Sequence, residues 1–131
     1  MTKQFETVCA HLLHQCKNVD VISDELIVAL HNVFQSNMVV EAAKLVDEKK
    51  IQSLMSESGR HIFKVKGSNE KWYMVSSSSF YCSCPSFTFQ FLKKKSSYLC
   101  KHVLATFLYK GDVTTVTNEE LTLFLMSCFD S

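Results

Sequence analysis

The chain has 131 residues, 47% of them apolar and 21% charged, and a formal net charge of +1. Those proportions are ordinary for one globular domain, and the length is short for two. Three Gly and one Pro exclude collagen-like repeats and flexible Gly/Ser linkers, and the small net charge gives no global pull toward nucleic acid or membrane. No run reaches the ~18 apolar residues of a membrane span. The N-terminus carries no apolar stretch of the signal-peptide kind, and no Asn-x-Ser/Thr sequon occurs. The six cysteines are therefore expected as reduced thiols of the cytosol or nucleus rather than as a disulfide framework.

Residues 1–56 read as an N-terminal helical segment. Phe5, Val8, Cys9, Leu12, Leu13 and Cys16 recur on one helical face. Ser23 before Asp24 and Glu25 reads as an N-cap followed by first-turn acids, opening a stripe of Leu26, Ile27, Leu30, Val33 and Phe34. A third stripe, Met38, Val39, Ala42, Leu45 and Val46, closes near Glu48-Lys49-Lys50. The period then falls to two: His61–Lys66 and Lys71–Val75 alternate, with Gly67-Ser68-Asn69 as the hairpin loop and Phe80-Tyr81-Cys82 as a third strand. Pro85 suits a first helical position, which favours a short helix over the Phe87/Phe89/Phe91 stretch. Cys100–Tyr109 reads as a helix ended by Gly111. Thr117 and Glu120 form a capping box before the apolar run Leu121–Met126. The expected class is α+β: N-terminal helices, a short antiparallel sheet, a finger region over 57–110 and a C-terminal helix over 111–131, all in one compact domain.

The sharpest feature is Cys82-x-Cys84, fifteen residues, then Cys100-x-His102. Three thiolates and an imidazole suit tetrahedral zinc and fill all four positions, so a structural ion with no place for a reacting water is expected. In an extended chain residues i and i+2 point to the same side, so Cys82 and Cys84 can reach one ion. In a helix they diverge, so Cys100 and His102 should straddle a helix start. Structural zinc contributes on the order of 10 kcal/mol to the folding of small fingers, so metal and fold should be linked. A rival set, Cys9, His11, His14 and Cys16, cannot converge on one ion from one helix: the two cysteines share a face and the two histidines lie roughly opposite.

At these residues the chain resembles the SWIM zinc-finger family, whose pattern is C-x-C, a variable spacer, then C-x-H. The longer run Ser58-Gly59-Arg60, Tyr81–Pro85, Phe87, Phe89, Leu92 and Leu99–Ala105 resembles the small single-finger branch associated with the Shu complex. The resemblance implies one structural Zn2+ held by Cys82, Cys84, Cys100 and His102, and a packing or partner-contact role for Ala105. It implies a non-enzymatic subunit that pairs with a RecA-like ATPase paralogue. The pair supports recombinase filaments on single-stranded DNA, in homologous-recombination repair and meiosis in the nucleus. Other SWIM proteins are ubiquitin-ligase substrate receptors or scaffolds, which is the alternative function. A third reading, Cys84 and His102 as nucleophile and base, requires a metal-free site. The chain has no Gly-rich phosphate loop, so any ATP hydrolysis would belong to a partner.

Charge is unevenly distributed. Residues 1–59 carry −3, residues 60–102 carry +7 and residues 103–131 carry −3. The finger region is a basic island, and Arg60, Lys64, Lys66, Lys71, Lys93, Lys94, Lys95 and Lys101 are the candidates for contact with a phosphate backbone. Trp72, Tyr73, Phe80, Tyr81 and Tyr98 lie nearby in sequence as candidates for base stacking.

Overall fold

Alternation of apolar and polar side chains lays out the sheet, and helical periodicity lays out the layers on it. A computed structural model describes residues 3–34, 37–67, 69–76, 81–84 and 100–129. Three helices come first: α1 (Lys3–Asn18), α2 (Asp24–Val33) and α3 (Met38–Asp47). Strands β1 (Ile51–Ser56), β2 (His61–Lys66), β3 (Trp72–Ser76) and β4 (Tyr81–Cys82) follow. Then come α4 (Lys101–Leu108), β5 (Val113–Val116) and α5 (Asn118–Phe129). The sheet order is β4-β3-β2-β1-β5. Strands β1 to β4 pair antiparallel, and β5 pairs parallel to β1, with Ser53 opposite Val113 and Ser56 opposite Val116. Among the described residues no helix is long and apolar enough to cross a membrane.

The α+β class stands, with three corrections. The helical reading of 1–56 holds only as far as Asp47, because Ile51–Ser56 is the central strand β1. Helix α3 stops there by a Schellman arrangement: Lys50 N–H donates to the Leu45 carbonyl at 2.9 Å and Lys49 N–H to that of Val46 at 3.2 Å. Lys49 takes the left-handed conformation (φ 57°) that usually announces itself as Gly or Asn. The C-terminal segment is not wholly helical, since the β-branched run Val113-Thr114-Thr115-Val116 forms β5 before the helix. Among the described residues the sheet therefore has five strands and is mixed rather than purely antiparallel. The Pro85–Phe91 reading and the aromatics Phe80 and Tyr98 lie outside the described residues.

Local capping follows the sequence. Ser23 Oγ accepts the Leu26 N–H at 3.2 Å, and Thr117 Oγ1 accepts the Glu120 N–H at 3.0 Å. In the loop between β2 and β3, Gly67 is required by close approach: a Cβ there would lie 2.5 Å from the Tyr73 ring.

The two faces of the sheet are packed differently. On the inner face Ile51, Phe63, Val65, Tyr73, Val75 and Cys82 meet Leu13 and Cys16 of α1, Leu30 of α2, Val39, Ala42 and Leu45 of α3 and the buried side of α4. The α1 stripe is only partly used: Leu13 and Cys16 are buried, whereas Val8 is 48% exposed. On the outer face α5 lays Leu121, Phe124 and Leu125 over Leu54, Ile62 and Met74. The turn between β1 and β2 anchors the start of that helix, where Ser58 Oγ donates to Asn118 Oδ1 at 3.0 Å. Leu121 is 1% exposed and Leu123 is 61% exposed, two residues away on the same helix. We expect Leu121→Ala to lower unfolding free energy by about 2–5 kcal/mol in urea titrations, as large-to-small core changes do. Leu123→Ala should stay within about 0.5 kcal/mol; equal losses in both would show that α5 does not pack as described.

Candidate metal centre

The four predicted ligands arrive from two places that the chain folds together. Cys82 is the last residue of β4 and, paired with Val75, points to the inner face. Ser83 holds the following turn to β3: its N–H donates to the Met74 carbonyl at 3.0 Å and its Oγ accepts the Met74 N–H at 3.0 Å. Cys84 is thereby brought back toward Cys82, and its N–H points at Cys82 Sγ at 3.5 Å. Cys100 is the N-cap of α4 with extended backbone (φ −85°, ψ 166°), and His102 lies in the first turn. The expectation that this pair straddles a helix start is met, because the change of backbone conformation at Cys100 lets both side chains face the β4 pair. Helix α4 is itself packed on α3 and reaches β3 and β4, which places the second pair against the first.

The ligand atoms of Cys82, Cys84, Cys100 and His102 all lie within 4.8 Å of one another, and all four residues are buried. His102 Nδ1 lies 3.6 Å from Cys82 Sγ and 3.9 Å from Cys100 Sγ. A tetrahedron with Zn–S of about 2.3 Å and Zn–N of about 2.0 Å has N···S edges of about 3.5 Å, so these separations match a zinc-sized site. The electrostatics point the same way. Hydrogen bonding with Cys100 and Cys84, then burial, pushes the Cys82 thiol far above its ordinary range. For Cys100 the hydrogen bond with Cys82 pulls downward, but bonding with Cys84, burial and the Cys84 charge outweigh it and leave the thiol pushed up to about 12. Three thiols in one dry pocket cannot ionise together without a cation, and a divalent ion supplies the charge that makes them thiolates. The buried Cys3His set fits one structural zinc ion, with Nδ1 as the histidine ligand atom.

The surroundings of the site include residues that sequence reasoning missed. His102 Nε2 is buried without a hydrogen-bond partner among the described residues. Its ring packs against Tyr73 at a centroid distance of 5.6 Å, and the Tyr73 hydroxyl accepts from Asn69 Nδ2 at 2.9 Å. The sequence offers Tyr73 as a base-stacking candidate, but it is buried on the inward side of β3 and packs in the core, so it is not available to a base; its contact with the histidine follows from the fold. Glu41 of α3 is the other omission, paired with Lys101 at 3.8 Å beside the ligands.

The remaining predicted residues divide. Ala105 is fully buried in α4, one turn beyond His102, and packs in the core. Arg60 is exposed in the turn before β2, at the opposite end of that strand from Lys66. Lys64 and Lys66 alternate with the inward Phe63 and Val65 and so lie on the outer face, away from the metal ligands. Lys71 is exposed in the loop leading to β3. Lys93, Lys94 and Lys95 lie outside the described residues. The basic island is therefore not one patch: Lys101 and the Lys64/Lys66 pair lie on opposite sides of the sheet. In α1, Cys16 is buried whereas His11 and His14 are exposed, so these three do not converge.

Comparison with known proteins agrees with this geometry. The SWIM zinc finger profile matches residues 64–111. The chain is 45% identical over 87 residues to zinc finger SWIM domain-containing protein 7 of Mus musculus, covering 66% of this chain and 57% of that one. It is 39% identical over 109 residues to the Homo sapiens protein of that name, covering 80% and 77%, and 35% identical over 103 residues to the Danio rerio protein, covering 79% and 73%. The match thus spans little more than half of the mouse relative. No solved structure matches the chain. Native mass spectrometry should find one zinc per chain, lost in Cys84→Ser and in His102→Ala. In the loaded protein, 15N-resolved histidine spectra should show Nδ1 metallated and Nε2 protonated. Well-folded protein with no zinc would overturn the site.

Proposed function

The chain belongs to the SWIM zinc-finger family represented by zinc finger SWIM domain-containing protein 7, and from that membership we propose that it is a non-enzymatic adaptor of the Shu type. In this reading it pairs with a RecA-like ATPase paralogue in the nucleus. The pair promotes assembly or stability of recombinase filaments on single-stranded DNA, in homologous-recombination repair and in meiosis.

The observation that carries the proposal is the closed ligand set. Cys82, Cys84, Cys100 and His102 are all buried, and the four of them satisfy tetrahedral zinc completely. A zinc so enclosed offers no position for substrate or a reacting water, and bound thiolates are not free nucleophiles. The ion's contribution is then shape. It fastens the short β4 to the eight-residue α4, neither of which is long enough to persist alone. Through the contact of α4 with α3 and α1, the fastening extends to the helical layer. That layer carries the partly used apolar stripe of α1, whose exposed Val8 suits a partner surface.

The test is co-expression with the ATPase paralogue. Wild-type protein should co-purify with it in equal amounts and carry zinc. His102→Ala should lose the zinc and reduce co-purification at least tenfold. Retention of the partner by a zinc-free chain would separate the metal from the interface and overturn the adaptor mechanism.

A further inference from the structure

Among the described residues, α5 covers the outer face of the sheet over only part of its area. Beyond Leu54, Ile62 and Met74, the same face continues through Gln52, Lys64, Lys66 and Trp72. The register sets these side by side: Gln52 opposite Lys64, Lys64 opposite Met74, and Lys66 opposite Trp72. Lys50 joins the row, its carbonyl accepting the Lys66 N–H at 2.8 Å. Lys71 precedes Trp72 and is exposed. Two lysines, Lys64 and Lys66, therefore reach over one indole, and the nearby carboxylates pair within the row: Glu48, 3.1 Å from Lys50, and Glu70, 2.7 Å from Lys66.

Lys64 differs from its neighbours. Its ammonium lies 4.8 Å from the Trp72 ring centroid and 5.2 Å from that of Phe124, and among the described residues it has no carboxylate partner. Lys66 also reaches over Trp72, at 5.7 Å. Ring faces hold a cation by their quadrupole, but they leave its charge uncompensated and its N–H donors free for an anion. The result is a half-buried cation fixed beside a half-buried aromatic plane, on a pleated surface where Lys64 and Lys66 are about 7 Å apart along the strand.

We propose that this open half of the outer face is the seat of single-stranded nucleic acid. The proposal rests on the reading of the protein as a single-strand-associated adaptor and places the contact on the side of the sheet opposite the zinc. Lys64 and Lys66 take neighbouring phosphates. As a phosphate draws the Lys64 ammonium off the indole, the Trp72 ring is uncovered and a base stacks on it. A π-face flanked by cations suits a phosphate-linked base better than it suits a run of carboxylates, which has no plane to stack. It suits an unpaired base and not a duplex, whose bases already stack on each other.

Trp72 is the chain's single tryptophan, so its fluorescence reads this face directly. The experiment titrates the full-length, zinc-loaded chain with oligothymidylate, with the matching duplex and with polyglutamate. The expected result is saturable quenching by oligothymidylate, weaker with the duplex. In Lys64→Gln/Lys66→Gln, with zinc content unchanged, affinity should fall about tenfold or more and the salt slope by about 1.4. Lys44→Gln, on α3, should leave both unchanged. Binding that neither quenches Trp72 nor responds to Lys64→Gln/Lys66→Gln would overturn this face and leave the adaptor reading standing. Equal quenching by polyglutamate would overturn the nucleic-acid assignment in favour of an acidic protein surface. Absence of any oligothymidylate binding would also overturn the face, whereas the adaptor reading falls only with loss of partner co-purification.

Discussion

The structure depends on a charge problem at its centre. Three thiols and an imidazole meet in a pocket with all four residues buried, where the Cys82 and Cys100 thiols are pushed up and a cation is needed to hold the three as thiolates together. The elements that carry them are short: β4 has two residues and α4 has eight. Strands and helices of that length hold their shape only by packing or by a cross-link. The metal is such a cross-link, joining residues eighteen apart from opposite sides of a long connection. Because α4 is also the helix on which α1 and α3 rest, the ion anchors the contact between the helical layer and the sheet.

The sheet then separates two kinds of chemistry. Its inner face is closed, with apolar side chains, metal ligands and helices filling it. Its outer face is closed on one side by α5 and elsewhere carries lysines and an indole. Strict alternation along β2 produces the division, since Phe63 and Val65 face the core while Lys64 and Lys66 face outward.

Much of this was legible in the sequence, for identifiable reasons. Cysteine pairs two apart are rare enough that Cys82-x-Cys84 and Cys100-x-His102 stood out, and the geometry of extended and helical chain set where each pair must lie. Ser23 and Thr117 marked helix starts through side-chain caps that need no tertiary context. Strand β1 was hidden because a lysine occupies the left-handed position that ends α3, where the usual signal is glycine. Strand β5 was hidden because it is four residues long, mostly exposed, and parallel to a strand distant in sequence. The basic island was visible as a sum of charges, but a sum carries no direction. Only the pairing of β2 with β3 shows that Lys64 and Lys66 turn away from Lys101, which answers Glu41 on the other side.

The parallel pairing of β5 with β1 also orders events during synthesis. Ser53 meets Val113 across the ladder, so the edge of β1 stays open until sixty more residues have left the ribosome. By then Cys82, Cys84, Cys100 and His102 have all emerged, and metal capture can precede closure of the sheet. During that interval Leu54 and Ile62 also lack their cover, since Leu121 arrives later still. A nascent chain with an open strand edge and bare apolar positions is most exposed to misassociation at that stage. The last strand and helix therefore act as the final seal on a structure whose metal-binding centre is already complete.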